Sequence, residues 1–316
     1  MKRPPTPKSM KVFTLIWSGQ LVSLLGSGLT GFAMGIWVYQ QTGSVTQFAL
    51  ISLCKTLPTI LISPLAGTLV DRWDRRWTMI LSDLGAGLST LVIAFLFISG
   101  QLAIVHIYLA TVVSSTFNAF QWPAYAATTV LLVPEQHLGR ASGMTQMGQG
   151  ITRLVSPMLG GILLLTIELE GVILLDCLTF IVALATLFSV RFPAPLPAAD
   201  LPVKEQRSLL KETFYGWTYL TARPGLFGLL MFQAGTNFFL GMIQVLVTPL
   251  GLSFTSAAVL GTILSIGGGG MLLGSVVMST WGGPSRRMNT VLGFMLLSGL
   301  CVLVAGLAPS IPLVTL

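Results

Sequence analysis

Residues 67–77 read Gly67-Thr68-Leu69-Val70-Asp71-Arg72-Trp73-Asp74-Arg75-Arg76-Trp77, with five charges in eleven positions. On either side lie apolar blocks, 47–70 and 78–99, each long enough to cross a hydrocarbon core of about 30 Å as a helix rising about 1.5 Å per residue. Strands crossing a membrane would alternate apolar and polar residues over about ten positions, and these blocks do not. A charged turn between two such helices must sit at a membrane surface.

Extending the same reading outward gives spans near 12–38, 47–70, 78–99, 104–128, 141–166 and 171–190, then 226–248, 257–281 and 288–308. The 316-residue chain is 53% hydrophobic and only 9% charged, against about 25% charged in a soluble domain; its mean hydropathy is +0.84. The expected fold is an all-α membrane protein of about nine transmembrane helices. Residues 1–190 form a six-helix bundle and 226–316 a partial second bundle of three spans and the start of a fourth. Between them, 191–225 is rich in Pro and charge and contains an amphipathic stretch, Leu209 to Leu220, which reads as a cytoplasmic linker with an interfacial helix.

The net charge of +7 would suggest nucleic acid in a soluble protein, but here fifteen of the seventeen Lys and Arg residues lie in the N-terminal tail, in alternate loops and in the linker. The opposite loops carry none, and one carries Glu168 and Glu170. That one-sidedness places the N-terminus, the 71–77 turn and the linker in the cytoplasm, as expected for a multi-pass protein of a bacterial inner membrane, and leaves no nucleic-acid surface. The tail MKRPPTPKSMK precedes a block long enough to span, so it reads as a retained cytoplasmic tail. Cys54, Cys177 and Cys301 fall inside apolar blocks and read as packed thiols.

GTLVDRWDRRW from Gly67 and GSVVMSTWGGPSRR from Gly274 each end in Arg-Arg at corresponding span junctions, a weak internal repeat that suggests two related halves. The first of these turns resembles the G-x-L-x-D-R-x-x-R-R motif of the major facilitator superfamily, through Gly67, Leu69, Asp71, Arg72, Arg75 and Arg76. The resemblance implies alternating access by twelve helices, with the Asp latching one conformation against a helix N-terminus in the second half. Gly67 is expected to permit close helix approach. In the fifth span, Gly143, Pro157, Gly160 and Gly161 resemble the glycine-proline motif of proton-driven antiporters, with Thr152 and Ser156 at two expected glycines. Residues 122–143 and Asp176 resemble a branch containing macrolide efflux pumps, an enterobactin exporter and lysophospholipid transporters. The fourth span lacks the embedded Arg of many proton-coupled relatives. The missing spans would include the helix that meets Asp71, so a truncated, non-transporting remnant is an alternative reading.

A charged side chain at mid-bilayer costs about 2.5 to 3.5 kcal/mol on insertion scales, so Lys55, Asp83, Arg153 and Asp176 each need a reason. Asp83 is expected to pair with arginines of the 71–77 turn. Arg153 is read as a salt-bridge partner or a substrate contact. Lys55 is expected to snorkel outward or to pair with Asp176, which is otherwise packed structurally or carries a proton. Gln20, Asn118, Gln121, Gln233 and Asn237 are the cavity candidates, and Trp37 and Trp122 are interface anchors or substrate contacts.

No phosphate-cradling loop, zinc spacing or nucleophile elbow occurs, and Gly267 to Gly270 lie in an apolar span, where they serve packing. The chain therefore reads as a non-enzymatic, monomeric secondary transporter with no cofactor and no metal. It would export a drug-like or siderophore-like amphipathic small molecule in exchange for H+; the alternative on the same fold is a lysophospholipid transporter.

Overall fold

The computed structural model describes residues 9–70, 73–190 and 218–281, with scattered helical positions at 293, 296, 297, 299, 300 and 303. Eight long helices are described: α1 (Met10–Thr42), α2 (Val45–Val70), α3 (Arg75–Ile98), α4 (Ile104–Leu132), α5 (Leu138–Thr166), α6 (Glu168–Ser189), α7 (Pro224–Leu252) and α8 (Ala257–Trp281). No strand occurs among the described residues. Residues 191–217, the span near 288–308, and Asp71 and Arg72 lie outside them.

Local chemistry sets the helix ends. Gly43 closes α1 with φ 61°, a left-handed position that glycine takes without steric cost, and its N–H donates to the Tyr39 carbonyl. Asp74 caps α3: its carboxylate accepts from the Arg76 and Trp77 amides at 2.9 and 3.3 Å. Arg76 reaches the far end of α6, donating from Nη2 to the Phe188 carbonyl at 3.1 Å, so the charged turn fastens α3 to α6. Gly100, at φ 69°, turns the chain between α3 and α4. Pro58, Pro64, Pro123, Pro157 and Pro249 all lie inside helices, which membrane helices tolerate because neighbours re-satisfy the freed carbonyls.

α1 packs between α5 and α6, α3 against α4 and α6, α2 against α4, and α5 against α8. Small residues let the backbones approach. A methyl at Gly161 would lie 2.6 Å from the Ala257 carbonyl oxygen, and Gly261 faces the Pro157 carbonyl at the same α5–α8 seam. Gly160 instead packs on Phe32 of α1, whereas Gly143 and Gly67 have open space beside them. The close approach expected at Gly67 is therefore not made among the described residues.

Two apolar clusters occupy opposite ends of the α1–α6 bundle. One contains Phe13, Ile16, Met79, Ala124 and Leu187; the other contains Leu29, Ala33, Ile93, Ile107 and Ile173. Between them lies a layer holding Gln20, Ser23, Ser82, Asp83 and Gln121. Leucines such as Leu53, Leu57 and Leu61 of α2 are exposed, as a surface solvated by lipid requires. Five of the described helices are long and apolar enough to cross a membrane.

Candidate functional site

The middle layer is organised around Asp83, which is 5% exposed. Gln20 Nε2 donates to its Oδ2 at 2.8 Å, and Gln121 Nε2 donates to its Oδ1 at 2.8 Å. Gln121 Nε2 also reaches Gln20 Oε1 at 2.8 Å, closing a triangle across α1, α3 and α4. The expected pairing of Asp83 with arginines of the turn is thus corrected. Among the described residues its partners are two carboxamides, because Asp83 lies two turns inside the helix, where Gln20 and Gln121 reach it from the facing helices.

A cavity of about 180 Å³ opens onto this triangle. Trp17, Leu21, Leu24, Trp122 and Phe180 give it apolar and aromatic walls; Asn118, Thr145, Gln149 and Tyr125 add polar points. Gln121 Oε1, buried behind the wall, makes no hydrogen bond, and a buried polar atom left unpaired costs about 1 to 3 kcal/mol. Trp17 is held in place by its indole N–H, which donates to the Met144 carbonyl at 2.9 Å.

Of the cavity candidates, Gln20, Asn118 and Gln121 line this space, while Gln233 and Asn237 do not. The latter two are exposed on α7, where Asn237 Nδ2 donates to the Gln233 carbonyl at 3.0 Å. Trp122 lines the cavity, and Trp37 packs edge-on against Phe97 with centroids 6.3 Å apart. Trp17, Tyr125 and Gln149 escape sequence reading because an aromatic or amide within an apolar block signals nothing until the facing helices are known.

Asp176 is 2% exposed between α6 and α1. Ser27 Oγ lies 3.4 Å and Thr179 Oγ1 3.3 Å from its Oδ1. Lys55 is exposed on α2, so the proposed Lys55–Asp176 pair is not formed; α1 stands beside Asp176 and supplies hydroxyls instead. Arg153 is exposed on α5, with its backbone oxygen toward Gly268 of α8 and no part in the cavity. Among the described residues no three of His, Cys, Asp and Glu gather as a metal centre.

The sequence matches the Major Facilitator Superfamily over residues 16–316. It is 30% identical over 302 residues to macrolide efflux protein A of Streptococcus pyogenes, covering 94% of this chain and 73% of that one. Macrolide efflux protein A of Enterococcus faecalis is 30% identical over 264 residues, with 82% and 80% covered. The enterobactin exporter EntS of Shigella flexneri is 27% identical over 228 residues, and this chain spans 53% of its length. A bacterial homolog of the human lysosomal transporter Spinster, solved in an inward-facing, unoccupied conformation, superposes with a TM-score of 0.67 at 15% identity, over 99% of this chain and 71% of that one. That likeness concerns the fold. With its apolar membrane-crossing helices and a family match over nearly its whole length, the chain belongs to the major facilitator superfamily of membrane transporters.

Proposed function

We propose that the chain exports a drug-like or siderophore-like amphipathic molecule by alternating access, driven by inward movement of H+. The observation that carries this reading is the cavity with aromatic walls and a hydrogen-bonding floor of Gln20, Asp83 and Gln121. Trp17 and Trp122 offer flat faces to an apolar skeleton, while Asn118 and Gln149 offer polar groups on the same wall. The names of the relatives, macrolide and enterobactin exporters, support a bulky cargo with mixed polarity. Asp83 is the carboxylate that lines the cavity, and a group that can exchange a proton beside the cargo is suited to coupling.

The reading divides the chain into a bundle at 1–190, a cytoplasmic linker at 191–225 and a second bundle at 226–316, with the N-terminus in the cytoplasm and the protein monomeric. Gly67, Leu69, Asp71, Arg72, Arg75 and Arg76 act as the conformational latch. Arg76 supports this through its bond to the end of α6. Pro157, Gly160 and Gly161 set the α1–α5–α8 packing on which rocking depends. No chemical change of the cargo enters this cycle.

The test is accumulation of a labelled macrolide in macrolide-sensitive bacteria expressing the chain. Lower accumulation than in the empty host, abolished by a protonophore and by Asp83→Asn, is expected. Accumulation equal to that of the empty host refutes export.

A further inference from the structure

Asp176 sits outside that cavity wall and has a different environment. Its carboxylate is 2% exposed, α6 carries no Lys or Arg, and α1 carries only Lys11, sixteen residues before Ser27. An ionised carboxylate buried without a cation is costly. The groups that do surround it are oxygens: Ser27 Oγ and Thr179 Oγ1 at 3.4 and 3.3 Å from Oδ1. Thr30 Oγ1 is a third hydroxyl beside the same carboxylate. Thr30 is 4% exposed, so three hydroxyls and a carboxylate converge away from solvent. Gly26 lets α1 and α6 meet here: a methyl there would overlap the Thr179 hydroxyl and stand 2.7 Å from Asp176 Oδ1.

We infer that Asp176, Ser27, Thr30 and Thr179 form a binding site for a sodium-sized monovalent cation between α1 and α6. The spacing supports the size. Charge-assisted O–H···O bonds are about 2.5 to 2.7 Å long, so hydroxyls at 3.3 and 3.4 Å from Oδ1 are not drawn tightly onto the carboxylate. A cation of calcium's size holds oxygens at about 2.4 Å, and neighbouring ligands at right angles are then about 3.4 Å apart. Thr179 Oγ1 donates its proton to the Asp176 main-chain oxygen at 2.7 Å, which leaves its lone pairs for a cation. The charge decides the valence: one carboxylate neutralises a single positive charge, and a divalent ion would leave net charge buried. Sodium has the size and the charge, and all-oxygen ligation suits a hard cation. Ser27 also lines the cavity, which gives the ion its path of entry. This site stands independently of the identity of the exported molecule.

The experiment is thermal unfolding of the purified, detergent-solubilised chain, with Na+ replacing choline at constant ionic strength. The site predicts a midpoint that rises with Na+ and saturates, with a weaker response to the larger K+. Asp176→Asn should abolish the response. Thr30→Val is the second variant, because it removes one hydroxyl of the site and keeps the carboxylate. It should need about tenfold more Na+ than the parent for half of the response. If Asp176→Asn does not fold, Thr30→Val alone decides. Identical midpoints in Na+ and choline, or a Thr30→Val protein with the parent's Na+ dependence, would overturn the inference. A response to pH with none to Na+ would also overturn it and leave Asp176 as a protonated acid. None of these readings requires transport, so failure of the export assay leaves the cation site standing, and the converse holds.

Discussion

Alanine at Gly161 and alanine at Gly143 are expected to change stability in opposite directions, although both glycines belong to one motif of α5. At Gly161 the added methyl would stand 2.6 Å from the Ala257 carbonyl oxygen, 2.9 Å from Ala258 Cα and 3.1 Å from the Ala257 carbonyl carbon. All three are backbone atoms, which cannot rotate aside. Ordinary contact begins near 3.4 Å, so α5 and α8 must part by up to about 0.8 Å, and the seam loses dispersion contacts along its length. Overpacking of this kind costs about 1 to 3 kcal/mol, offset by about 0.5 to 1 kcal/mol for replacing glycine within a helix. The net expectation is a loss of up to about 2.5 kcal/mol. At Gly143 nothing lies within 4 Å, so only the helix term remains and Gly143→Ala should be neutral or stabilising. The assay is reversible unfolding in mixed micelles, followed by the intrinsic emission of the seven tryptophans. Equal stability of the two variants, or a stabilised Gly161→Ala, would refute the seam.

Gln121→Leu should cost about 1 to 3 kcal/mol, because Asp83 Oδ1 and Gln20 Oε1 both lose their donor inside the bundle; an unchanged unfolding midpoint would contradict the triangle. Asp74→Ala removes the acceptor for two amides at the start of α3 and should cost about 0.5 to 2 kcal/mol, checked in the same unfolding assay. Cysteines placed at Arg75 and at Glu168 should be labelled by an impermeant maleimide from opposite sides of the membrane, and labelling of both from one side would contradict the orientation drawn from the charged loops.

Helix positions were legible because hydrocarbon enforces them: the ends of α3 and α6 fall within a few residues of the expected spans, since a charged or capped turn cannot retreat into lipid. Which helix faces which was not legible. Asp83 lies 63 residues from Gln20 and 38 from Gln121, and both were identified as cavity residues without any sign that they bind this acid. Arginines nearer in sequence than Gln20 suggest the wrong partner for Asp83, and charge alone offers Lys55 as one possible partner for Asp176, where α1 is the helix that packs. Glycines were equally ambiguous: Gly143 and Gly161 are identical as letters, and only the neighbouring backbone at Ala257 separates them.

Export as proposed requires that the cavity above Gln20, Asp83 and Gln121 receive the cargo. Asn118 lines that cavity and is exposed to it, so Asn118→Cys, in a chain with Cys54, Cys177 and Cys301 replaced by alanine, gives a thiol at its wall. The measurement is the rate at which a maleimide modifies that thiol with and without a saturating macrolide. Slower modification in the presence of the macrolide is predicted; an unchanged rate in a protein that still lowers macrolide accumulation would contradict the central claim.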